Sequence, residues 1–169
     1  MHDHRPHHES AAALRIAVAV SSYHSPVTLA LLDGARAAFS EAGGAEEDLI
    51  VMQAPGAFEL PVICAALLAR DDVDAVVALG CILAGETTHD QVLGNAVATS
   101  LINLSTAWRK PVGLGLLTCQ TIEQAQARAG GPLGNKGAEA MQAAISTSCV
   151  LAQVARNSDL QANHVEAVH

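Results

Sequence analysis

Apolar and polar positions alternate in two rhythms along this chain, and their succession predicts strands alternating with helices. Leu14 to Ser21 is a run of small and β-branched residues, the pattern of a buried strand. Ser25-Pro26 then opens a helix, with Ser25 expected as N-cap and Pro26 at the first helical position. Leu29, Leu32, Ala35 and Phe39 recur at helical spacing until Gly43-Gly44. Leu49 to Met52 reads as a second strand stopped by Pro55-Gly56, and a second helix from about Phe58 to Arg70 tolerates Pro61 in its first turn.

Asp74 to Leu83 is almost wholly apolar, as a strand covered on both faces must be. Leu93, Val97, Leu101, Leu104 and Trp108 mark a third helix, with Thr88 and Gln91 spaced as a capping box at its start. Pro111 to Leu117 is a fourth strand, and Thr121 with Gln124 is a second capping-box pair opening a short helix that ends at Gly130-Gly131. A last helix from about Asn135 to Arg156 carries Met141, Ile145, Cys149 and Ala152 on one stripe. Alternation of this kind implies right-handed βαβ units, an α/β fold with a parallel sheet and helices on both faces. The carboxyl ends of its strands bring Ser21 to His24, Ala54 to Glu59, Cys81 to His89 and Thr118 to Thr121 to one edge.

Composition narrows the picture. The chain has 169 residues, half of them hydrophobic, enough for one domain with a sizeable core. Its boundaries are read as a flexible His-rich tail over 1–13, the domain over 14–156, and a polar tail over 157–169. Tyr23, Phe39, Phe58 and Trp108 are the only aromatics, so Ala, Val, Leu and Ile must build the core. A net charge of −8 disfavours nucleic acid and anionic membranes as partners. Cys64, Cys81, Cys119 and Cys149 are far apart without metal-like spacing, which fits a reducing, cytoplasmic setting and no metal site. No apolar run is long enough to span a bilayer, and the N-terminus lacks the apolar core of a signal peptide. Four of the eight histidines lie in that tail, where metal binding competes with a plain polar extension.

The richest stretch is Leu79 to His89, where an apolar strand runs through Gly85-Glu86-Thr87-Thr88 into a helix. Free N–H groups at a helix start favour an anion, so this turn is a candidate phosphate cradle or an ordinary capped turn. His89, in the first helical turn, can accept a proton near pH 7 and serve as general base, or be an inert surface residue. Arg128 can close on a phosphate with a bidentate contact or simply be solvated. Tyr23 can stack on a flat heterocycle or pack in the core. Ala57, Phe58 and Glu59 can grip a polyol at a helix start, against a solvated Glu59 as the plain alternative. Cys119 has no histidine near it in sequence and is a poor nucleophile candidate.

Pro55-Gly56-Ala57-Phe58-Glu59-Leu60-Pro61, Ala78-Leu79-Gly80 through Gly85-Glu86-Thr87-Thr88-His89, Gly115 to Thr118 with Thr121 to Gly130, and Gly134-Asn135-Lys136-Gly137-Ala138-Glu139-Ala140 occur in that order. In these segments the chain resembles the 6,7-dimethyl-8-ribityllumazine synthase family, with similarity from about Leu14 to Val154. The resemblance implies a three-layer flavodoxin-like sandwich with a four-stranded parallel sheet. It implies condensation of 5-amino-6-(D-ribitylamino)uracil with 3,4-dihydroxy-2-butanone 4-phosphate, without cofactor or metal. Tyr23, Ala57, Phe58, Glu59, Cys81, Ile82, Leu83 and Leu114 would bind the ribityl pyrimidine, with Leu114 coming from an adjacent subunit. Glu86, Thr87 and Arg128 would hold the phosphate, and His89 would move protons. The family's members are pentamer-based homo-oligomers with active sites between subunits, and riboflavin synthase is the expected functional partner. Tyr23, His24, Ala84, Asp90-Gln91 and Leu114 depart from the residues common in the family, and Gly131 to Gly134 replaces a lysine-bearing loop seen in shell-forming members. A non-catalytic shell protein and a flavin-binding flavodoxin-like domain are the competing readings, since fold alone does not fix function.

Overall fold

The structure is a computed structural model that describes residues 10–166, with side chains to residue 157. The histidine cluster of the N-terminal tail and the end of the C-terminal tail lie outside the described residues. The elements are β1 (Ile16–Ser21), α1 (Ser25–Glu41), a 3₁₀ turn (Glu46–Asp48), β2 (Leu49–Ala54), α2 (Leu60–Leu68), β3 (Ala75–Leu83), α3 (His89–Trp108), β4 (Val112–Cys119), α4 (Ile122–Ala127), β5 (Ala129–Gly131), β6 (Gly134–Asn135) and α5 (Lys136–Glu166). β1 to β4 form one parallel sheet in the order β2-β1-β3-β4. This is the expected α/β sandwich.

The two central strands are buried along nearly their whole length, which explains why β1 and β3 read as continuous apolar runs. Successive side chains alternate between two cores. Ile16, Val18, Val20, Val77 and Leu79 face Leu31, Phe39, Met141 and Ile145 of α1 and α5. Ala17, Ala19, Val76 and Ala78 face Leu60, Cys64, Leu68, Val97 and Leu101 of α2 and α3. No described helix is long and apolar enough to cross a membrane.

Local details depart from expectation in physically instructive ways. His24, not Ser25, is the N-cap of α1; it takes a left-handed conformation (φ 57°) and offers no side-chain cap. Thr88 caps α3 without a side-chain bond; the Thr87 hydroxyl instead accepts weakly from the His89 N–H at 3.4 Å. Thr121 does accept from the Gln124 N–H, and Gln124 Oε1 accepts from Gln120 N–H. Leu29 and Trp108, assigned to apolar stripes, are exposed. In α5 the stripe leaves the core after Ile145, since 31 helical residues (about 46 Å) outrun the sheet they pack on. β5 and β6 form a small antiparallel hairpin whose glycine-rich strands carry no apolar alternation to announce them. Ahead of Leu14, Ala11 is already buried and its N–H bonds the Ala42 carbonyl.

α5 lies unusually close to its neighbours. A Cβ on Gly113 would fall on the Ala140 carbonyl, and one on Gly137 would fall on the Leu31 carbonyl. Asn135 secures this approach by standing over Gly34. Its Nδ2 donates to the Ala30 carbonyl (2.8 Å), while its Oδ1 accepts from the N–H groups of Gly137 (2.8 Å) and Ala138 (3.2 Å), capping α5. Asn135→Ala removes the cap and the α1 tether together and is expected to cost about 1–3 kcal/mol, read by denaturant unfolding.

At the amino edge of the sheet, Arg15 reaches Asp48 and Asp72, while Arg70 pairs with Asp72 at 2.8 Å. The Arg70 hydrogen bonds hold the Asp72 carboxyl down at about 2. A depressed carboxylate stabilises the fold above its unfolded value near 3.9 and loses that contribution as pH falls towards 2. Thermal melts between about pH 4 and 2 should therefore fall less steeply in Asp72→Asn than in the native chain.

Candidate active site

The carboxyl ends of β1, β2 and β3 and the start of α3 enclose a cavity of about 440 Å³. Ligands collect at this edge of parallel sheets because strands end there and helices begin. Tyr23, Ala57, Phe58, Glu59, Cys81, Ile82, Leu83, Thr87 and His89 all line it, drawn from four separate segments. Tyr23 and Phe58 expose 66% and 68% of their surface, so two of the few aromatic rings stand open instead of entering the core.

Each position has a local cause. Tyr23 follows β1, and its N–H donates to the hydroxyl of buried Ser21 at 3.2 Å. Ala57 to Glu59 form the turn between β2 and α2, where Leu60 is fully buried and anchors the helix start. Glu59 folds back, with Oε2 about 3.0 Å from where a Gly56 Cβ would stand. Gly80 leaves room for Leu60 and Leu116 to meet across β3. Gly94 lets α3 approach Thr118, which holds the start of that helix, and His89 with it, against the strand ends.

Among the described residues, no hydrogen bond engages the N–H groups of Gly85, Glu86, Thr87 or Thr88. With the positive end of α3 behind them, they form a turn suited to an anion. The cavity walls nevertheless carry two carboxylates, Glu59 and Asp90, and neither lysine nor arginine. Lys110 donates to the Leu68 and Arg70 carbonyls, and Lys136 pairs with Glu139.

Three expected residues lie outside the cavity. Glu86 is exposed and does not line it. Leu114 lines a separate hollow of about 380 Å³ between α3 and β4, beside Gln91 and Asn95. Arg128 ends α4, where Nη1 donates to the Gln124 carbonyl at 3.0 Å and its charge is felt by Cys119. Conversely, His24 and Asp90 line the cavity although neither had been assigned a site role. Their places directly beside Tyr23 and His89 were the available signal. Among the described residues no three His, Cys, Asp or Glu groups gather as a metal site.

Three of the thiols are chemically quiet. Burial pushes Cys64 up to about 12 and Cys81 up to about 11, the latter with help from neighbouring Cys119. Cys119 is also raised by burial, against the pull of Arg128, so it is not poised as a nucleophile.

A profile of the 6,7-dimethyl-8-ribityllumazine synthase family matches residues 13–152. The chain belongs to that family. It is 42% identical to the 6,7-dimethyl-8-ribityllumazine synthase of Thermus thermophilus over 147 residues, covering 87% of this chain and 94% of the relative. The Aquifex aeolicus synthase is 38% identical over 136 residues, covering 80% and 88% of the two chains. That of Frankia casuarinae is 46% identical over 142 residues, covering 83% and 87%. The matched region of this lumazine synthase family member contains all four segments that line the cavity.

At pH 8, iodoacetamide should label Cys64 and Cys81 at least about 100-fold more slowly than a free cysteine peptide. Timed alkylation followed by peptide mass spectrometry checks this.

Proposed function

We propose that this chain condenses 5-amino-6-(D-ribitylamino)uracil with 3,4-dihydroxy-2-butanone 4-phosphate to 6,7-dimethyl-8-ribityllumazine, the penultimate step of riboflavin biosynthesis. The observation that carries this reading is the convergence of family-matched segments on one cavity, with His89 on its wall.

Tyr23 stacks on the pyrimidine, the backbone of Cys81, Ile82 and Leu83 reads its edge, and Ala57, Phe58 and Glu59 hold the ribityl chain. The phosphate rests on the turn at Glu86 and Thr87, which contribute backbone N–H and hydroxyl groups. The substrate amine attacks the butanone carbonyl and loses water to give an imine. Phosphate then leaves by elimination, and ring closure expels a second water. No step is a net redox reaction, so the chemistry calls for no cofactor. His89 relays protons, while much of the acceleration comes from holding two reactants in register.

A second copy completes the site in a pentamer-based homo-oligomer, presenting Leu114 as a wall and Arg128 as the phosphate's cation. Support comes from a cavity with open aromatic walls and neither lysine nor arginine of its own. The lumazine then passes to riboflavin synthase. Four free thiols suit a reducing cytoplasm.

Mixing the purified protein with both substrates should yield lumazine fluorescence; a silent mixture would sink the proposal. His89→Ala should lower kcat by about 10²-fold with KM little changed. Arg128→Ala should raise KM for the butanone phosphate about 10-fold or more. Co-refolding these two variants should recover part of the lost activity, because mixed neighbours rebuild some intact sites.

A further inference from the structure

Tyr23 is one of two aromatic rings on the cavity wall, yet two-thirds of its surface is free and its chain neighbours do not enclose it. Two contacts hold it. Ser21 Oγ accepts from its N–H at 3.2 Å, which fixes the backbone but not the ring. The ring itself meets the His24 imidazole, with centroids 4.6 Å apart and planes at 71°. Among the described residues this is the one ring-to-ring contact.

His24 is built into an unusual place for a ring. Its backbone is left-handed (φ 57°, ψ 45°), a conformation that costs free energy for a residue with a Cβ and persists only where surroundings impose it. The surroundings do so here: its carbonyl accepts from the N–H groups of Val27 (2.9 Å) and Thr28 (3.1 Å), locking it to the first turn of α1. The imidazole is thus carried by a rigid helix start, is half-buried, and lines the same cavity as Tyr23. An edge-to-face partner on a fixed support restricts the rotamers of an otherwise open ring.

We propose that His24 is a positioning residue that holds the Tyr23 ring upright to receive the flat heterocycle. The inference rests on the proposed stacking of the pyrimidine on Tyr23. Its energetic content is preorganisation: a ring already held loses less freedom when substrate arrives.

His24→Asn separates the ring from the backbone, because Asn tolerates the left-handed region while lacking an aromatic edge. His24→Phe restores an edge without the ring nitrogens. Tyr23 is the only tyrosine of the chain, so selective ring labelling yields a single tyrosine spin system. Its ring signals should shift in His24→Asn and largely return in His24→Phe. In steady-state assays, His24→Asn should raise KM for the pyrimidine about 3- to 10-fold, with kcat and KM for the butanone phosphate within about twofold. In a Tyr23→Leu background the same substitution should have no further effect on pyrimidine KM.

Unshifted tyrosine signals in His24→Asn would overturn the inference whether or not the chain makes lumazine. An equal KM effect with Tyr23 absent, or an effect confined to the butanone phosphate, would overturn it too. Failure of the native protein to form product, with the tyrosine shift intact, would instead remove the stacking role and leave the ring contact standing. Melting temperatures of both variants near the native value keep misfolding out of the comparison.

Discussion

The fold depends on how closely α5 can lie against β4 and α1. With few aromatic side chains to fill a wide gap, the layers must approach until backbone nearly meets backbone. Gly113 and Gly115 provide this on β4, and Gly137 on α5, where added carbon atoms would strike carbonyls or core side chains. Asn135 then joins α1 to α5 by bonding both at once. Within these layers, parallel pairing of β1 with β2 and β3 brings the ends of three strands together around one cavity.

The architecture was legible because its signals are local and periodic. β1 and β3 read as apolar runs, and α1, α3 and α5 show the repeat of amphipathic helices. What stayed hidden was decided elsewhere. Ser25 is a sound N-cap by residue type, but the chain leaves β1 through a tight turn that places His24 there, at positive φ. Where α5 loses its core cannot be seen from its own stripe, since the limit is the length of the strands beneath it. The β5–β6 hairpin depends on backbone freedom at Gly130 and Gly134, not on an apolar pattern.

The placement of the candidate site was legible to a similar depth. Tyr23, Ala57 to Glu59, Cys81 to Leu83 and His89 fall together because the βαβ rule alone brings strand ends to one edge. Leu114 and Arg128 do not join them: one lines a separate hollow between α3 and β4, and the other stands at the end of α4. His24 was missed for another reason. Its role lies in the orientation of a neighbouring ring, which depends on rotamers and not on residue type. The acidic lining had no local signal either: Glu59 and Asp90 lie at the starts of different helices and share a wall only in the folded cavity.

β4 distributes its obligations unevenly. Gly113, Gly115, Leu117 and Cys119 alternate inward, and two of those four admit no side chain at all. Leu114 and Thr118 alternate outward and are exposed. One surface of this ribbon is frozen by its layer contacts, and the reverse is tied down at Leu116 and Thr118, which leaves Leu114 as the outward position with room to change. A change at Leu114 therefore reshapes the hollow it lines while the scaffold that presents it stays in place.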